Sequence, residues 1–382
     1  MERNRFALTI GNMSDIPMRP TYVEINLPRL RQNLENIRAA VKPAKVMAVV
    51  KANAYGHGVD EVAPYIAPYA DYMGVAIVEE GIHLRQLGLK RPILVMGASL
   101  PEQVPLFLKN DLTLAASSED LLRVAEEAAR LSGGRIKVHL KIDTGMERIG
   151  AHEYEAQSLI EASLACRNVE IEGIFSHFAN SEAADLAHAR LQMERFQQVL
   201  GLYEKLQAPV PALRHIANSG GILQLPESHL DMVRPGVMFY GIYPGREVER
   251  TVEVRPALTW HSRVGYSKIT QPGRPVSYGS LWQSAEPTRI VTIPCGYADG
   301  YFRRMTNRAQ VLVNGKKYPQ VGRICMDQFM VNVGSDEARI GDPVILLGDG
   351  ISAEDLAEWA GTNEYEVMTN ISARVPRLAI RD

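Results

Sequence analysis

The sequence predicts an α/β protein, a (β/α)8 TIM-type barrel followed by a mainly antiparallel β domain. From Thr21 onward, short β-branched apolar runs alternate with segments of helical period, which is typical of βα units around a parallel sheet. Eight such runs can be counted, the number of strands in a TIM barrel. After about Glu253 the apolar runs are separated by turn signals instead, as in antiparallel sheets.

The predicted barrel covers residues 18–252 and starts with a helix over 27–41. Its eight strands are expected at 46–50, 74–77, 93–96, 113–116, 136–141, 171–176, 213–217 and 232–240. A helix over 118–132 is indicated by Ser118, which can cap its first turn, and by apolar residues that recur on one face. This interleaving fits a barrel of the usual size.

The predicted β domain covers residues 253–382. Its strands are expected at 258–264, 289–293, 310–313, 329–333 and 343–347, and a helix at 353–360. Asn314-Gly315, between two valine-rich runs, is the strongest hairpin signal, because both residues readily adopt the backbone of a two-residue turn.

Composition argues against several classes of protein. With 46% hydrophobic and 23% charged residues, the 382-residue chain is typical of globular proteins with a large core. Its 42 basic residues nearly balance 44 acidic ones, so nucleic acid and anionic membranes are not expected as partners. Three cysteines without a CxxC pair argue against disulfides and a thiolate metal site. Because no signal-peptide pattern or membrane-length apolar run is visible, we expect a cytoplasmic protein.

Reactive side chains follow the ends of several predicted barrel strands, where TIM-barrel enzymes carry their active sites. Lys51 comes directly after the first strand. In a partly dry barrel mouth its amine could form a Schiff base, although a surface lysine fits this position as well. Further cations or possible cations lie at or just beyond the ends of strands five to eight, namely Lys141, Arg148, His177, His215 and Arg234. Such a ring indicates an anionic ligand, although each histidine alone could be structural.

The segments after strands seven and eight are suited to phosphate. Asn218 and Ser219, with two glycines, follow strand seven, and Gly236 and Val237 follow Arg234. They offer a hydroxyl, backbone N–H groups and glycine clearance where TIM barrels commonly bind phosphate. Together with a lysine at a strand end, they suggest pyridoxal 5′-phosphate (PLP), a phosphorylated cofactor that lysine can bind covalently.

A series of motifs runs through both predicted domains. They are Ala48-Val-Val-Lys51-Ala-Asn-Ala-Tyr55-Gly-His-Gly58, Leu140-Lys-Ile-Asp-Thr-Gly-Met-Glu-Arg148, Ser176-His-Phe-Ala179, Ala217-Asn-Ser219, Met232-Val-Arg-Pro-Gly236, Val276-Ser-Tyr278-Gly, Gly296-Tyr297-Ala-Asp-Gly300, Val321-Gly-Arg323-Ile-Cys-Met326-Asp327 and Asn363-Glu-Tyr365-Glu-Val367. Their order and content resemble the alanine racemase family from about Pro20 to the chain end. The sequence departs from the family pattern at Ser181-Glu182 and at Leu281-Trp282.

The resemblance implies a set of PLP-binding residues, with Lys51 carrying the cofactor covalently. The other implied contacts are Tyr55, Arg148, His177, Asn218, Ser219, Arg234, Gly236, Val237 and Tyr365. Arg234 would face the pyridine nitrogen and leave it unprotonated, because a guanidinium cannot accept a proton. Lys141 would be a carbamate that fixes Arg148, or else an ordinary lysine bonded to a carbonyl. His215 would link Arg234 to Tyr278.

Inversion of a carbon centre needs a proton-transferring group on each of its faces. The resemblance implies Lys51 for one face and Tyr278 of the partner subunit for the other, in a head-to-tail homodimer. A phenol is a weak base unless nearby cations favour its ionised form. Met326, through its backbone N–H, and Arg148 would bind the substrate. The implied supporting residues are Tyr297, Arg303 and Arg323.

The activity implied is interconversion of L- and D-alanine, the D-isomer being a precursor of bacterial peptidoglycan in this family. Three alternatives remain open, namely a broad-specificity amino-acid racemase, a PLP-dependent amino-acid decarboxylase and a non-catalytic PLP-carrier protein. Bulky Tyr278 and Tyr365 favour a small substrate. The acidic pyridine partner of decarboxylases conflicts with Arg234, and carrier proteins lack the C-terminal β domain.

Overall fold

The structure is a computed structural model that describes residues 19–381. These residues form two compact units. The barrel unit comprises residues 25–258 and 363–370 with the last described residues from 379, and the β unit comprises residues up to 24 together with 259–362 and 371–378. The domain boundaries 18–252 and 253–382 stay predictions, since each compact unit combines several stretches of chain.

The described residues contain the following elements. The strands are β1 (Tyr22–Asn26), β2 (Lys45–Val49), β3 (Tyr72–Val75), β4 (Ile93–Val95), β5 (Thr113–Ala116), β6 (Ile136–Asp143), β7 (Ala151–His152), β8 (Val169–Phe175), β9 (Leu213–His215), β10 (Met232–Val233), β11 (Leu258–Arg263), β12 (Tyr266–Thr270), β13 (Thr288–Ile293), β14 (Gln310–Val313), β15 (Lys316–Val321), β16 (Phe329–Gly334), β17 (Pro343–Leu347) and β18 (Arg377–Ile380). The helices are α1 (Leu27–Val41), α2 (Lys51–Tyr55), α3 (Val59–Ile66), α4 (Val78–Gln86), α5 (Val104–Lys109), α6 (Glu119–Ser132), α7 (Ala156–Ala165), α8 (Ala187–Lys205), α9 (Ser219–Gln224), α10 (Ala353–Ala360) and α11 (Glu364–Thr369). None of these helices combines the length and the apolar character that a bilayer span requires.

The barrel unit contains a nearly closed parallel eight-stranded barrel, which confirms the predicted fold. Its strands pair in the order β10-β2-β3-β4-β5-β6-β8-β9. One buried cluster takes a residue from each of seven of these strands: Met47, Tyr72, Leu94, Ala115, Phe175, Leu213 and Met232. Because the strands are parallel, their carboxyl ends lie at the same edge of the barrel.

Local sequence signals account for most barrel elements. Ser118 caps α6 as expected, its hydroxyl accepting a hydrogen bond from Leu121 N at 3.2 Å. The eighth strand is shorter than the predicted 232–240, because Pro235 has no N–H to donate and ends the ladder. The chain continues as a 3₁₀ turn over Val237–Tyr240.

The β unit is mainly an antiparallel sheet with the order β12-β13-β16-β15-β14-β17-β11-β1-β18. The predicted hairpin is confirmed, since Asn314 and Gly315 have φ of 51° and 78° between paired β14 and β15. The sequence analysis missed β12. This strand lies at the edge of the sheet and is mostly exposed, so it carries no alternating apolar pattern.

Two glycines of the barrel unit lead to opposite predictions for stability. Gly241 has a φ of 88°, and an added Cβ would lie 1.8 Å from the Arg255 carbonyl oxygen. Gly241→Ala should therefore lower the free energy of unfolding by about 3 kcal/mol. Gly201 lies within α8, and an added Cβ meets no atom within 4 Å. Gly201→Ala should raise it by about 0.5–1 kcal/mol. Urea unfolding followed by circular dichroism measures both, and losses of similar size would contradict this account.

Candidate active site

The carboxyl ends of the barrel strands border an open cavity of about 770 Å³. Its lining includes five residues that the sequence singled out, Lys51, Lys141, Arg148, His177 and Arg234. Four of the five are lysine or arginine. The structure thus confirms that these side chains converge, and their charge makes the cavity suited to an anionic ligand.

Lys51 begins a turn of left-handed backbone. The next four residues, 52–55, have φ between 51° and 55°, a conformation that costs ordinary residues roughly 1–2 kcal/mol each. The Glu80 carboxylate supports this turn by accepting a hydrogen bond from Ala52 N at 2.6 Å. Gly56 completes the turn, and an added Cβ there would lie 2.1 Å from a backbone oxygen of α11. The strained turn fixes where the Lys51 side chain leaves the backbone.

The two cavity lysines have lowered pKa values. Burial is the main cause for Lys51, and Arg148 and Arg234 lower its pKa further, while Glu80 acts in the opposite direction. Burial and then Arg234 hold the pKa of Lys141 well below its usual value. The Lys141 Nζ lies 4.5 Å from the ring centre of Phe175. Both amines therefore have a larger neutral fraction than a surface lysine, which favours attack on a carbonyl carbon.

Arg234 is only 3% exposed and is bound by several groups. Its Nη1 lies 2.7 Å from His215 Nδ1, and its Nη2 lies 3.1 Å from His177 Nδ1. Nη2 also donates to the carbonyls of Ser176 at 2.7 Å and Ile216 at 3.1 Å. Burial lowers the pKa of Arg234 to about 9, which leaves it charged at neutral pH. These partners are imidazoles and carbonyls, and none of them is a carboxylate.

The expected link from His215 to Tyr278 is wrong. His215 Nδ1 faces Arg234, and its Nε2 lies 2.8 Å from His139 Nδ1. Both ring nitrogens are therefore engaged inside the barrel, where His215 is completely buried. His177 is instead the imidazole that lines the cavity beside Arg234. The sequence could not distinguish the two histidines, because both lie near the carboxyl end of a barrel strand.

The segments after β9 and β10 form a cradle together with Tyr55. The Ser219 hydroxyl accepts hydrogen bonds from Gly236 N at 3.0 Å and Met238 N at 3.3 Å. An added Cβ on Gly236 would lie 2.7 Å from the Tyr55 hydroxyl, so only glycine leaves room there. The ring centres of Tyr55 and Tyr365 are 6.1 Å apart. Hydroxyls and N–H groups thus collect at one place, as phosphate binding requires.

Asn218 and Val237 extend this cradle. The Asn218 side-chain oxygen accepts hydrogen bonds from Gly221 N at 3.0 Å and from the Ser181 hydroxyl at 2.6 Å, which caps α9. Val237 opens the 3₁₀ turn that follows Gly236, and the first N–H groups of such a turn have no partner within it. Tyr55, Ser219, Gly236, Val237 and Tyr365 therefore lie in one connected group of the barrel unit.

In the β unit, the remaining predicted residues border an open pocket of about 880 Å³. They are Tyr278, Tyr297, Arg303, Arg323 and Met326. Tyr278 and Met326 are 71% and 53% exposed, so these large side chains are presented rather than packed. The turn that carries Tyr278 has left-handed residues on both sides, and the Arg323 guanidinium lies against Gly279 within it.

Buried Asp299 fixes the loop that carries Tyr297. Its carboxylate accepts hydrogen bonds from Arg19 at 2.5 Å and from Gly296 N at 2.9 Å, and it pairs with Arg374 at 2.8 Å. The adjacent Tyr297 N donates to Cys325 O at 3.0 Å. Cys325 itself contacts the Ser277 hydroxyl through its Sγ at 3.4 Å.

Sequence reasoning missed several residues that hold the barrel site. Asp143 lies inside a recognised motif, and its carboxylate accepts hydrogen bonds from Gly145 N at 2.9 Å and Arg148 N at 3.0 Å, which shapes the turn that carries Arg148. Glu80 and His139 gave no signal. Each contacts the site through a chain segment distant in sequence, and only the folded barrel brings these segments together.

Comparisons with known proteins give one consistent result. The family models for the alanine racemase N-terminal and C-terminal domains match residues 25–244 and 257–379. An alanine racemase of Carboxydothermus hydrogenoformans is 44% identical over 370 residues, covering 95% of this chain and 100% of that protein. The solved alanine racemase of Clostridium difficile 630 has 37% identity and a TM-score of 0.90, covering 96% of this chain and 97% of that chain. A Bartonella henselae alanine racemase solved with covalently bound pyridoxal phosphate has 27% identity and a TM-score of 0.87. The match covers 94% of this chain and 99% of that chain.

Arg148→Gln should raise the pKa of Lys51, because it removes a cation that disfavours the protonated amine. Acetylation of Lys51 at limiting reagent, measured by mass spectrometry across pH, should then reach its half-maximal rate at higher pH than in the unmodified protein. Arg167→Gln, at an exposed arginine of the same unit, serves as the matched control and should leave the profile unchanged. A shift to lower pH in Arg148→Gln would contradict this electrostatic assignment.

Proposed function

Because the chain belongs to the alanine racemase family, we propose that it interconverts L- and D-alanine with PLP as cofactor. The observation that carries this proposal is the pairing of Lys51, whose pKa is lowered, with the buried cation Arg234 in one cavity. A reactive amine and a cationic pyridine partner are the two features that the resemblance assigns to such enzymes.

The residues of the barrel unit fit PLP. Lys51 offers the amine that binds the cofactor covalently, and Tyr55, Ser219 and Gly236 offer the cradle for its phosphate. The other proposed contacts are Arg148, His177, Asn218, Arg234, Val237 and Tyr365. When bound, PLP supplies a conjugated electron-withdrawing ring that acidifies the substrate Cα–H.

Arg234 favours racemisation over competing reactions. Its guanidinium would donate to the pyridine nitrogen and would leave that nitrogen unprotonated, because it does not give up a proton at neutral pH. A decarboxylase of this fold type would need an acidic side chain at this place, and the partners of Arg234 include none.

Two groups would move the proton. Lys51 acts on one face of Cα, and Tyr278 of the partner subunit acts on the other. The Arg323 guanidinium lies beside the turn that carries Tyr278. Arg148 and the backbone N–H of Met326 would bind the substrate carboxylate and hold Cα between the two bases.

We place the active site between two subunits of a homodimer. The β unit presents Tyr278 and Met326 on an open pocket, bordered by Tyr297, Arg303 and Arg323, instead of packing them internally. A two-fold axis makes contacts reciprocal, so each β unit can complete the partner's cavity and two equal sites result.

Lys141 is proposed to be a carbamate. Its neutral amine can attack CO₂, forming an N–C bond as one C–O π bond opens and releasing one proton, so that a neutral amine becomes an anion. The lowered pKa of Lys141, caused by burial and then by Arg234, supports the first step. Nearby Arg148 would stabilise the product and be fixed by it.

The enzyme would supply D-alanine for peptidoglycan in the cytoplasm.

The activity is tested with purified protein, PLP and L-alanine in deuterated water. We expect D-alanine and Cα deuteration, and a decrease of at least about 10²–10⁴-fold in Lys51→Ala but not in the surface variant Lys109→Ala. Release of CO₂ without inversion would indicate a decarboxylase, and PLP binding without exchange a carrier protein. A higher kcat/KM for lysine or serine than for alanine would indicate a broad-specificity racemase.

The shared site is tested by complementation between subunits. Lys51→Ala and Tyr278→Phe should each be nearly inactive alone. In a mixed dimer one site carries both defects and the other carries neither, so activity should return toward half that of the unmodified dimer. Proven exchange of subunits without recovery would contradict the shared site and assign Tyr278 to its own chain or to no catalytic role.

A further inference from the structure

A line of buried polar side chains leads from Arg234 across the barrel interior to Glu172. Arg234 Nη1 lies 2.7 Å from His215 Nδ1, and His215 Nε2 lies 2.8 Å from His139 Nδ1. His139 Nε2 in turn lies 3.5 Å from Glu172 Oε2, an electrostatic contact rather than a good hydrogen bond. Both histidines are completely buried, whereas the Glu172 side chain is 22% exposed.

Arg234 fixes the proton positions along this line. A guanidinium donates hydrogen bonds and cannot accept them, so His215 must present an unprotonated Nδ1 and carry its proton on Nε2. That N–H donates to His139 Nδ1, and the proton of His139 is therefore on Nε2, facing Glu172. Two neutral imidazoles are thus aligned between a cation and an anion, an arrangement in which each hydrogen bond strengthens the next.

The barrel sheet is modified locally to form this line. The register of β6 against β8 shifts between Val138 and His139, which pair with Ile171 and Gly173. Glu172 is therefore an extra residue, a β-bulge, and bulges redirect the side chain that they carry. An added Cβ on Gly173 would lie 2.6 Å from His139 Nδ1, so only glycine leaves room for the imidazole.

Glu172 is held as an anion. Partial burial acts to raise its pKa, but the contact with His139, the hydrogen bond from Tyr72 and the charge of Lys137 keep it below the usual value. Tyr72 donates to Glu172 Oε2 at 2.5 Å and lies 2.9 Å from Thr113 Oγ1, which fixes the carboxylate.

The other charged groups near Arg234 do not provide a negative charge that compensates its guanidinium. Lys51, Lys141 and Arg148 line the same cavity as cations or amines. The Asp143 carboxylate also lines it, but its oxygens accept hydrogen bonds from backbone N–H groups of the turn that carries Arg148. Glu172 is therefore the carboxylate that the line of side chains connects to Arg234, through two hydrogen bonds and one electrostatic contact.

We propose that Glu172 is a positioning residue for Arg234. Acting through His139 and His215, it supplies the negative charge that holds the guanidinium in place and sets how strongly it donates to its ligand in the cavity. The identity of that ligand as the pyridine nitrogen of PLP rests on the proposed function, whereas the line itself does not.

Nitrogen NMR of the full chain, labelled at histidine, tests the line without any activity measurement. His215 and His139 should each show a protonated Nε2 and an unprotonated Nδ1. Glu172→Gln should move the Nε2–H signal of His139 and, less strongly, that of His215. Glu170→Gln, an exposed carboxylate on the same strand, should move neither. A protonated Nδ1 on His215, or unchanged spectra in Glu172→Gln, would overturn the proposal.

Kinetics of the PLP-loaded enzyme test the consequence. We expect Glu172→Gln to lower kcat by about two- to thirtyfold, the size of effect that coupling through such networks produces. The KM for alanine should change by less than about twofold. The absorption maximum of the bound cofactor should shift, and Glu172→Asp should restore part of the loss. Unchanged kcat and absorption, or an equal loss in Glu170→Gln, would overturn the proposal.

Two arrangements keep the experiment decisive. If Glu172→Gln does not fold, Tyr72→Phe removes one contact that fixes the carboxylate and should move the same histidine signals by a smaller amount. Unchanged signals in Tyr72→Phe would then count against the proposal. If the unmodified protein does not racemise alanine, the proposed function fails, while the NMR result still decides whether Glu172 acts on Arg234.

Discussion

A buried guanidinium sets the constraints on the barrel site. Burying a charge costs several kcal/mol unless hydrogen bonds and opposite charge compensate it. Arg234 meets this requirement with two imidazoles and two backbone carbonyls, and both imidazoles must be neutral to accept its hydrogen bonds. This requirement sets the tautomer of His215 and the position of His139, which accepts from it. It also requires glycine at position 173, where a Cβ would meet the His139 ring.

The same charge acts on the lysines that share the cavity. Burial lowers their pKa, and the cation at Arg234 lowers it further, so the neutral fraction of both amines is larger than that of a surface lysine. For Lys51 this effect is combined with a strained left-handed turn, which Glu80 supports by a backbone hydrogen bond. Electrostatics thus determine how reactive the amine is, and backbone geometry determines where it is presented.

The chemistry is distributed between the two units. The barrel unit provides an amine, a cationic cavity and a cradle for phosphate, whereas the β unit presents an exposed tyrosine beside arginines. Stereochemical inversion needs proton transfer on both faces of one carbon, and neither unit alone contains two such groups among the residues assigned to it. This requirement is the chemical reason to propose a site completed by a partner subunit.

The sequence by itself determined the fold class, the elements of strong period, the Asn314-Gly315 hairpin and the set of side chains at the barrel mouth, because these follow from local pattern and from strand ends. The segments after strands seven and eight indicated a phosphate site, and motif resemblance added Tyr55, Tyr365 and Tyr278. Only the tertiary structure decided which histidine faces the cavity, that Glu80 supports the Lys51 turn and that Glu172 is aligned with Arg234. The physical reason is that these contacts join different strands, so they depend on register, and a single bulge at Glu172 changes which side chains meet.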